Sequence, residues 1–136
     1  MSHGKLGIAV VGLGGAVGTT MVAGVELLKQ KLIGYEGLPL AKIAADGLAA
    51  YEDIVFAGWD LFGEHLAAAA EEHDVLTHKQ FIAVEDILRQ IKPWPAVGDP
   101  AFLSNVEGSN QVAKSSHRQS IEKIRADIRD LKPRCD

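Results

Sequence analysis

Cysteine is almost missing from this chain: its 136 residues hold one, Cys135, next to the last position. A lone thiol supports neither a disulfide framework nor a cysteine pair spaced for metal, and it points to a reducing compartment, the cytoplasm. An excess of positive charge is missing too. Fourteen Lys and Arg stand against eighteen Asp and Glu, giving a formal charge of -4 with no basic block. That removes the usual electrostatic footprint of a nucleic-acid or anionic-membrane partner and leaves a small molecule as the better fit. Long apolar runs are absent as well. Met1-Ser2-His3-Gly4-Lys5 leads into an apolar stretch that breaks at glycine after Val11, far short of a membrane span and without a signal-peptide cleavage pattern. No internal repeat or low-complexity tract occurs. The five histidines, His3, His65, His73, His78 and His117, show no H-E-x-x-H or related metal spacing and read as solvated surface.

What is present suits one compact domain. Apolar residues make up 47% and charged residues 24%, enough for a core at a length too short for a second, substrate-binding domain. Leu6 to Val11 is an apolar, partly β-branched run, read as a strand buried on both faces. After the glycines, Val17, Met21, Val25, Leu28 and Leu32 recur at spacings of three and four, which predicts a helix with one apolar face ending near Gly34. Gly34 to Tyr51 is mostly connection, with a short helix expected around Leu40 to Ala45. Asp53 to Asp60 reads as a second buried strand, and Leu61 to His73 as a helix rich in alanine. Thr77 with Gln80 forms a capping box for a helix carrying Phe81, Val84, Ile87, Leu88 and Ile91, and Lys92 to Gly98 is a rigid proline loop before a turn at Asp99-Pro100. Ser116 with Gln119 opens a last helix, with Ile121, Ile124, Ile128 and Leu131 inward and Glu122, Lys123, Arg125, Asp127 and Arg129 outward. Lys132-Pro133 closes it. Two parallel strands are too few for helices on both faces, so this order predicts an unfinished α/β, Rossmann-like three-layer parallel sheet.

The chemistry concentrates at Gly12-Leu13-Gly14-Gly15-Ala16-Val17-Gly18, set between a strand and a helix. Gly12 suits a tight turn, Gly14 and Gly15 let the backbone approach a pyrophosphate, and Gly18 lets the helix pack close. Free amides at the helix start then face the anion. The third glycine falls one place later than in G-x-G-x-x-G, and no lysine follows to make a nucleoside-triphosphate loop. A plain glycine-rich turn is the alternative. Asp60 ends the second strand, where an acid accepts hydrogen bonds from adenosine ribose hydroxyls and disfavours a 2′-phosphate, so NAD is expected over NADP; capping the next helix is its other reading. Trp59 and Trp94 read as packing residues, with Trp94 also able to flank an adenine. No nucleophile, base and orienting acid share a local signature, and catalysis is not visible.

Four segments in order resemble the myo-inositol-1-phosphate synthase family: Val11 to Thr20, Asp53 to Asp60 with its Gly-Trp-Asp ending, Pro95 to Phe102, and Ile121 to Leu131. The resemblance implies an enzyme of inositol and phospholipid biosynthesis. It would keep NAD bound, oxidise glucose 6-phosphate, close the ring by an internal aldol step and reduce the product, a net isomerisation. It implies cofactor-phosphate contacts at Gly14, Gly15, Ala16 and Val17, a ribose contact at Asp60, and Ala96 and Val97 on the adenosine side; with Gly12 and Gly18, read from the glycine motif itself, these make up the expected cofactor site. Ala16 and Val17 stand where eukaryotic members have two asparagines; Glu107 and Asn110 align with a glutamine and an arginine of the family. Residues 1–136 would then be part of an NAD-binding domain, with the catalytic lysines and the tetramer-forming domain further along and no activity in this chain alone. An ordinary NAD-dependent dehydrogenase segment and a non-catalytic nucleotide-binding module are the competing expectations.

Overall fold

A computed structural model describes residues 4–43 and 47–136. Strand β1 (Leu6–Val11) leads through the glycine turn into α1 (Ala16–Lys29), and a long connection with a 3-10 turn at Tyr51–Asp53 reaches β2 (Ile54–Asp60). Helices α2 (Leu66–His73) and α3 (His78–Gln90), strand β3 (Trp94–Pro95), and helices α4 (Pro100–Leu103) and α5 (His117–Leu131) complete the order. The three strands form one parallel sheet in the order β1-β2-β3.

Strand alternation sorts the helices into layers. Ile8 and Val10 of β1 and Ile54 and Phe56 of β2 join the core with Val22, Ala23, Val25 and Leu27 of α1, Leu66 and Ala67 of α2, and Val84 and Leu88 of α3. The intervening residues face the other way: Trp59 bonds Asp127 of α5, and the space beside Gly7 is filled by Leu131 and Cys135. Helices therefore cover both faces, and the three-layer expectation holds.

Several expectations shift. The sheet has a third strand where a proline loop was expected, because two residues are too few to show periodicity. β1 is not buried on both faces: Leu6 is half exposed and Val11 is 86% exposed, since they sit at the two ends of the strand, outside the cover that Leu131 and Cys135 give beside Gly7. Helix α1 ends at Lys29, with Lys31 in the left-handed region (φ 57). Its inner face is rotated from the expected one, so Val17 and Met21 are exposed while Thr19, Val22 and Ala23 are buried. Helix α2 starts five residues later than expected, capped by the His65 ring, which accepts from the Ala68 amide at 3.2 Å. In α5, Ile121 and Ile128 are exposed and Asp127 is buried, because an indole N–H across the layer holds that carboxylate inward. Both capping boxes form, at Thr77–Gln80 and Ser116–Gln119. Of the expected Leu40 to Ala45 helix, Leu40 to Lys42 form turns; Ala44 and Ala45, like His3, lie outside the described residues.

Candidate functional site

The site is built where β1 and β2 end. Gly12 takes φ +83, a conformation that a side chain disfavours, and its amide and that of Leu13 both donate to the Trp59 carbonyl. This double bond ties the turn to the neighbouring strand. Gly14 then meets Asp60: its N–H donates to Oδ2 at 2.8 Å, while Oδ1 accepts from the Phe62 amide at 2.9 Å. A Cβ on Gly14 would lie 3.2 Å from the Asp60 carboxyl carbon, so glycine serves the carboxylate's approach as well as any ligand's. A Cβ on Gly18 would collide with the Leu13 carbonyl, so this glycine closes helix onto turn rather than helix onto sheet.

The amides of the turn up to Gly15 are spent internally, the Gly15 N–H on the Gly12 carbonyl at 3.1 Å. Those of Ala16, Val17 and Gly18, the first three of α1, have no backbone acceptor among the described residues, and no acid sits in that first turn. Three aligned free donors at a helix N-terminus make an anion seat. The side chains of Ala16 and Val17 lie aside from it, in a shallow apolar groove with Thr20, Met21 and Val75.

Beyond Asp60 opens a cavity of about 470 Å³, lined by Val11, Gly12, Trp59, Asp60, Ala96, Val97, Glu107 and Ile124 among others. It lies outside the carboxyl ends of the strands, where open parallel sheets bind ligands. Its walls are mostly apolar, and its two acids, Asp60 and Glu107, are the titratable groups lining it. The structure thus brings Gly12, Asp60, Ala96 and Val97 together around one cavity and joins Gly14 to it through the Asp60 carboxylate. Gly15, Ala16, Val17 and Gly18 stand at the adjoining helix start. Asp60 does not cap a helix. Trp59 lines the cavity and packs on Trp94 with ring centroids 5.1 Å apart, while Trp94 itself is not in the lining.

Three residues matter more than their local sequence suggested. Asn110 clamps the strand ends: its Nδ2 donates to the Asp60 carbonyl, its N–H to the Leu61 carbonyl, and its own carbonyl accepts from Ala96, each at 2.9 Å. Asp127 accepts from Trp59 Nε1 at 2.8 Å and pairs with Lys123. His73, exposed as expected, also meets the Gly14 carbonyl through Nε2 at 2.9 Å. A polar residue at the end of an alanine helix carries no sequence signal for such a contact.

A family model for an NAD-binding domain, described as myo-inositol-1-phosphate synthase, matches residues 38–136. The chain belongs to that family. An inositol-3-phosphate synthase 1 of Bacteroides thetaiotaomicron is 34% identical over 95% of this chain, and an inositol-3-phosphate synthase of Drosophila melanogaster is 28% identical over 96%. The matches span 33% and 28% of those two proteins, so this chain covers about a third of its curated relatives' length. The crystal structure of the Caenorhabditis elegans inositol-3-phosphate synthase superposes with a TM-score of 0.77 at 20% identity, over 96% of this chain and 32% of that one. That likeness shows the fold: the α/β, Rossmann-like parallel sheet expected from the sequence. The cofactor of the family domain is NAD, and among the described residues no helix is long and apolar enough to cross a membrane.

Proposed function

We propose that this chain is the NAD-holding part of a myo-inositol-1-phosphate synthase that converts glucose 6-phosphate to inositol phosphate. The observation that carries the reading is the presence, side by side, of three free amides at the start of α1 and the Asp60 carboxylate, which bonds the adjoining turn at Gly14 and lines an apolar cavity. The donor set fits a dinucleotide. Ala16, Val17 and Gly18 would hold the pyrophosphate through backbone N–H groups, which serve whatever side chain is present. Gly12, Gly14 and Gly15 shape the turn. Asp60, with lone pairs left after two amide bonds, would accept from the ribose hydroxyls, and Ala96 and Val97 would flank the adenosine side.

Bound NAD would supply a hydride acceptor for the oxidation and a donor for the final reduction, so that the overall change is an isomerisation. The residues described here bind and orient. Among the described residues no acid, base and phosphate-binding cluster lines the cavity, whose acids are Asp60 and Glu107, and the same reading holds that these 136 residues alone have no synthase activity. It also holds that the working enzyme is a cytoplasmic homotetramer with no nucleic-acid partner, in keeping with one cysteine and a charge of -4. Family membership favours this isomerase over a dehydrogenase that releases its reduced cofactor and over a non-catalytic nucleotide module.

Calorimetric titration with NAD and NADP tests the assignment. The Asp60 carboxylate should make NAD bind at least about tenfold tighter, because a second anion beside it is repelled. Equal affinities would remove Asp60 from the ribose.

A further inference from the structure

We infer that His73 is a positioning residue for the cofactor turn, locking the Gly14–Gly15 peptide in the one orientation compatible with a bound pyrophosphate. The inference rests on the reading that NAD binds at this turn. Glycines on both sides of a peptide leave it unusually free to rotate, since neither flanking residue has a Cβ to block a flip. In a turn that must present a fixed set of donors to an anion, that freedom lowers affinity: ordering is then charged to the ligand. This protein restrains the peptide at both ends. The Gly15 N–H donates to the Gly12 carbonyl at 3.1 Å, and the Gly14 carbonyl meets His73 Nε2 at 2.9 Å. The peptide before it is held separately, by Gly14 N–H on Asp60.

The His73 bond also has an electrostatic consequence. A flipped Gly14 carbonyl would redirect a partial negative charge within the turn that seats an anion, and a donor holding that oxygen removes the option. His73 is placed for this by α2, of which it is the last residue; Asp74 then leaves the helix in the left-handed region with φ 48, its N–H on the Ala70 carbonyl. The helix end and the turn are 59 residues apart in sequence, so the contact couples the docking of α2 to the shape of the turn. The Nε2–H form of the ring, neutral or protonated, makes the bond.

The test compares His73→Ala, His73→Gln and His73→Leu in the purified protein, with NAD and adenosine as probes. A neutral hydrogen bond lost from a pre-ordered site weakens NAD by about fivefold. His73→Gln, which keeps an N–H donor of similar reach, should stay within about twofold of the parent. Adenosine lacks the pyrophosphate, and its affinity, followed by ligand-observed NMR, should be unchanged in all three. His73→Leu keeps the bulk without the donor and should match His73→Ala, which excludes a packing defect. Unchanged NAD affinity in His73→Ala and His73→Leu would overturn the role, as would an equal loss for NAD and adenosine, or a glutamine variant as weak as the alanine one. Failure of the parent protein to bind NAD would overturn the underlying reading, and that outcome is visible before any variant is made.

Discussion

At the scale of single residues, Gly14 and Asp60 act as one unit. A side chain on Gly14 would be driven into the carboxylate 3.2 Å away, displacing the acid that should hold the ribose and opening the turn. We expect Gly14→Val to bind NAD at least tenfold more weakly, as measured by calorimetry on folded protein, since both the turn amide and its acceptor lose their geometry. Unchanged affinity would place the cofactor elsewhere. Asp60→Ala acts differently. It leaves the Gly14 and Phe62 amides without their acceptor and removes the repulsion toward a 2′-phosphate, so NAD should weaken while the NAD-to-NADP ratio falls toward one. A ratio that stays at the parent value would show that selectivity comes from another wall of the cavity.

At the scale of elements, α5 is attached by a polar bond as well as by Ile124 and Leu131, the half of its expected apolar stripe that turns inward. Trp59 reaches across from β2 to Asp127, which is 6% exposed. Asp127→Leu strands the indole N–H and Lys123 together and should cost about 1–3 kcal/mol. Asp127→Asn keeps an acceptor oxygen and should cost less than half as much. Urea unfolding measures both; equal losses would mean that the carboxylate is held by Lys123 alone. Because Trp59 also lines the cavity beside Ile124 of the same helix, its emission should shift in Asp127→Leu. The start of α5 depends on Ser116, whose hydroxyl accepts from the Gln119 amide while the Gln119 side chain accepts from the Ser116 amide. Ser116→Ala should cost about 1 kcal/mol in the same assay. No measurable loss would mean that the first turn frays without effect on the fold.

At the scale of the whole molecule, the cavity is made from pieces that no single element owns: the ends of β1 and β2, the chain after β3, the segment after α4, and α5. Cofactor binding should therefore stabilise the assembly. With NAD at about a hundred times its Kd, linkage adds about 2.7 kcal/mol to unfolding, which a thermal scan reads as a rise in Tm of several degrees. No rise at that saturation would contradict binding to the folded state. Glucose 6-phosphate and NAD supplied to the 136-residue chain should give no inositol phosphate, since the described cavity presents two carboxylates and no partner base or phosphate clamp. Turnover abolished by Asp60→Ala would overturn that expectation.

Much of this site was legible before folding. The glycine turn between a strand and a helix, the acid at the end of β2 and the two capping boxes follow from rules that act within a few residues: strand and helix periods, the backbone freedom of glycine, and side chains that cap their own amides. The sequence by itself therefore determined where the glycine turn would fall and which acid would end the second strand. Other features depended on tertiary structure. A two-residue β3 forms because β2 offers it an edge, not through any pattern of its own. The inward turn of Asp127, the Asn110 clamp and the hold of His73 on Gly14 join residues 68, 50 and 59 positions apart. No local period encodes them. Each is a polar contact made when layers pack, and packing, which brings together donors and acceptors that the chain order keeps separate, is what turned a glycine turn into a walled site.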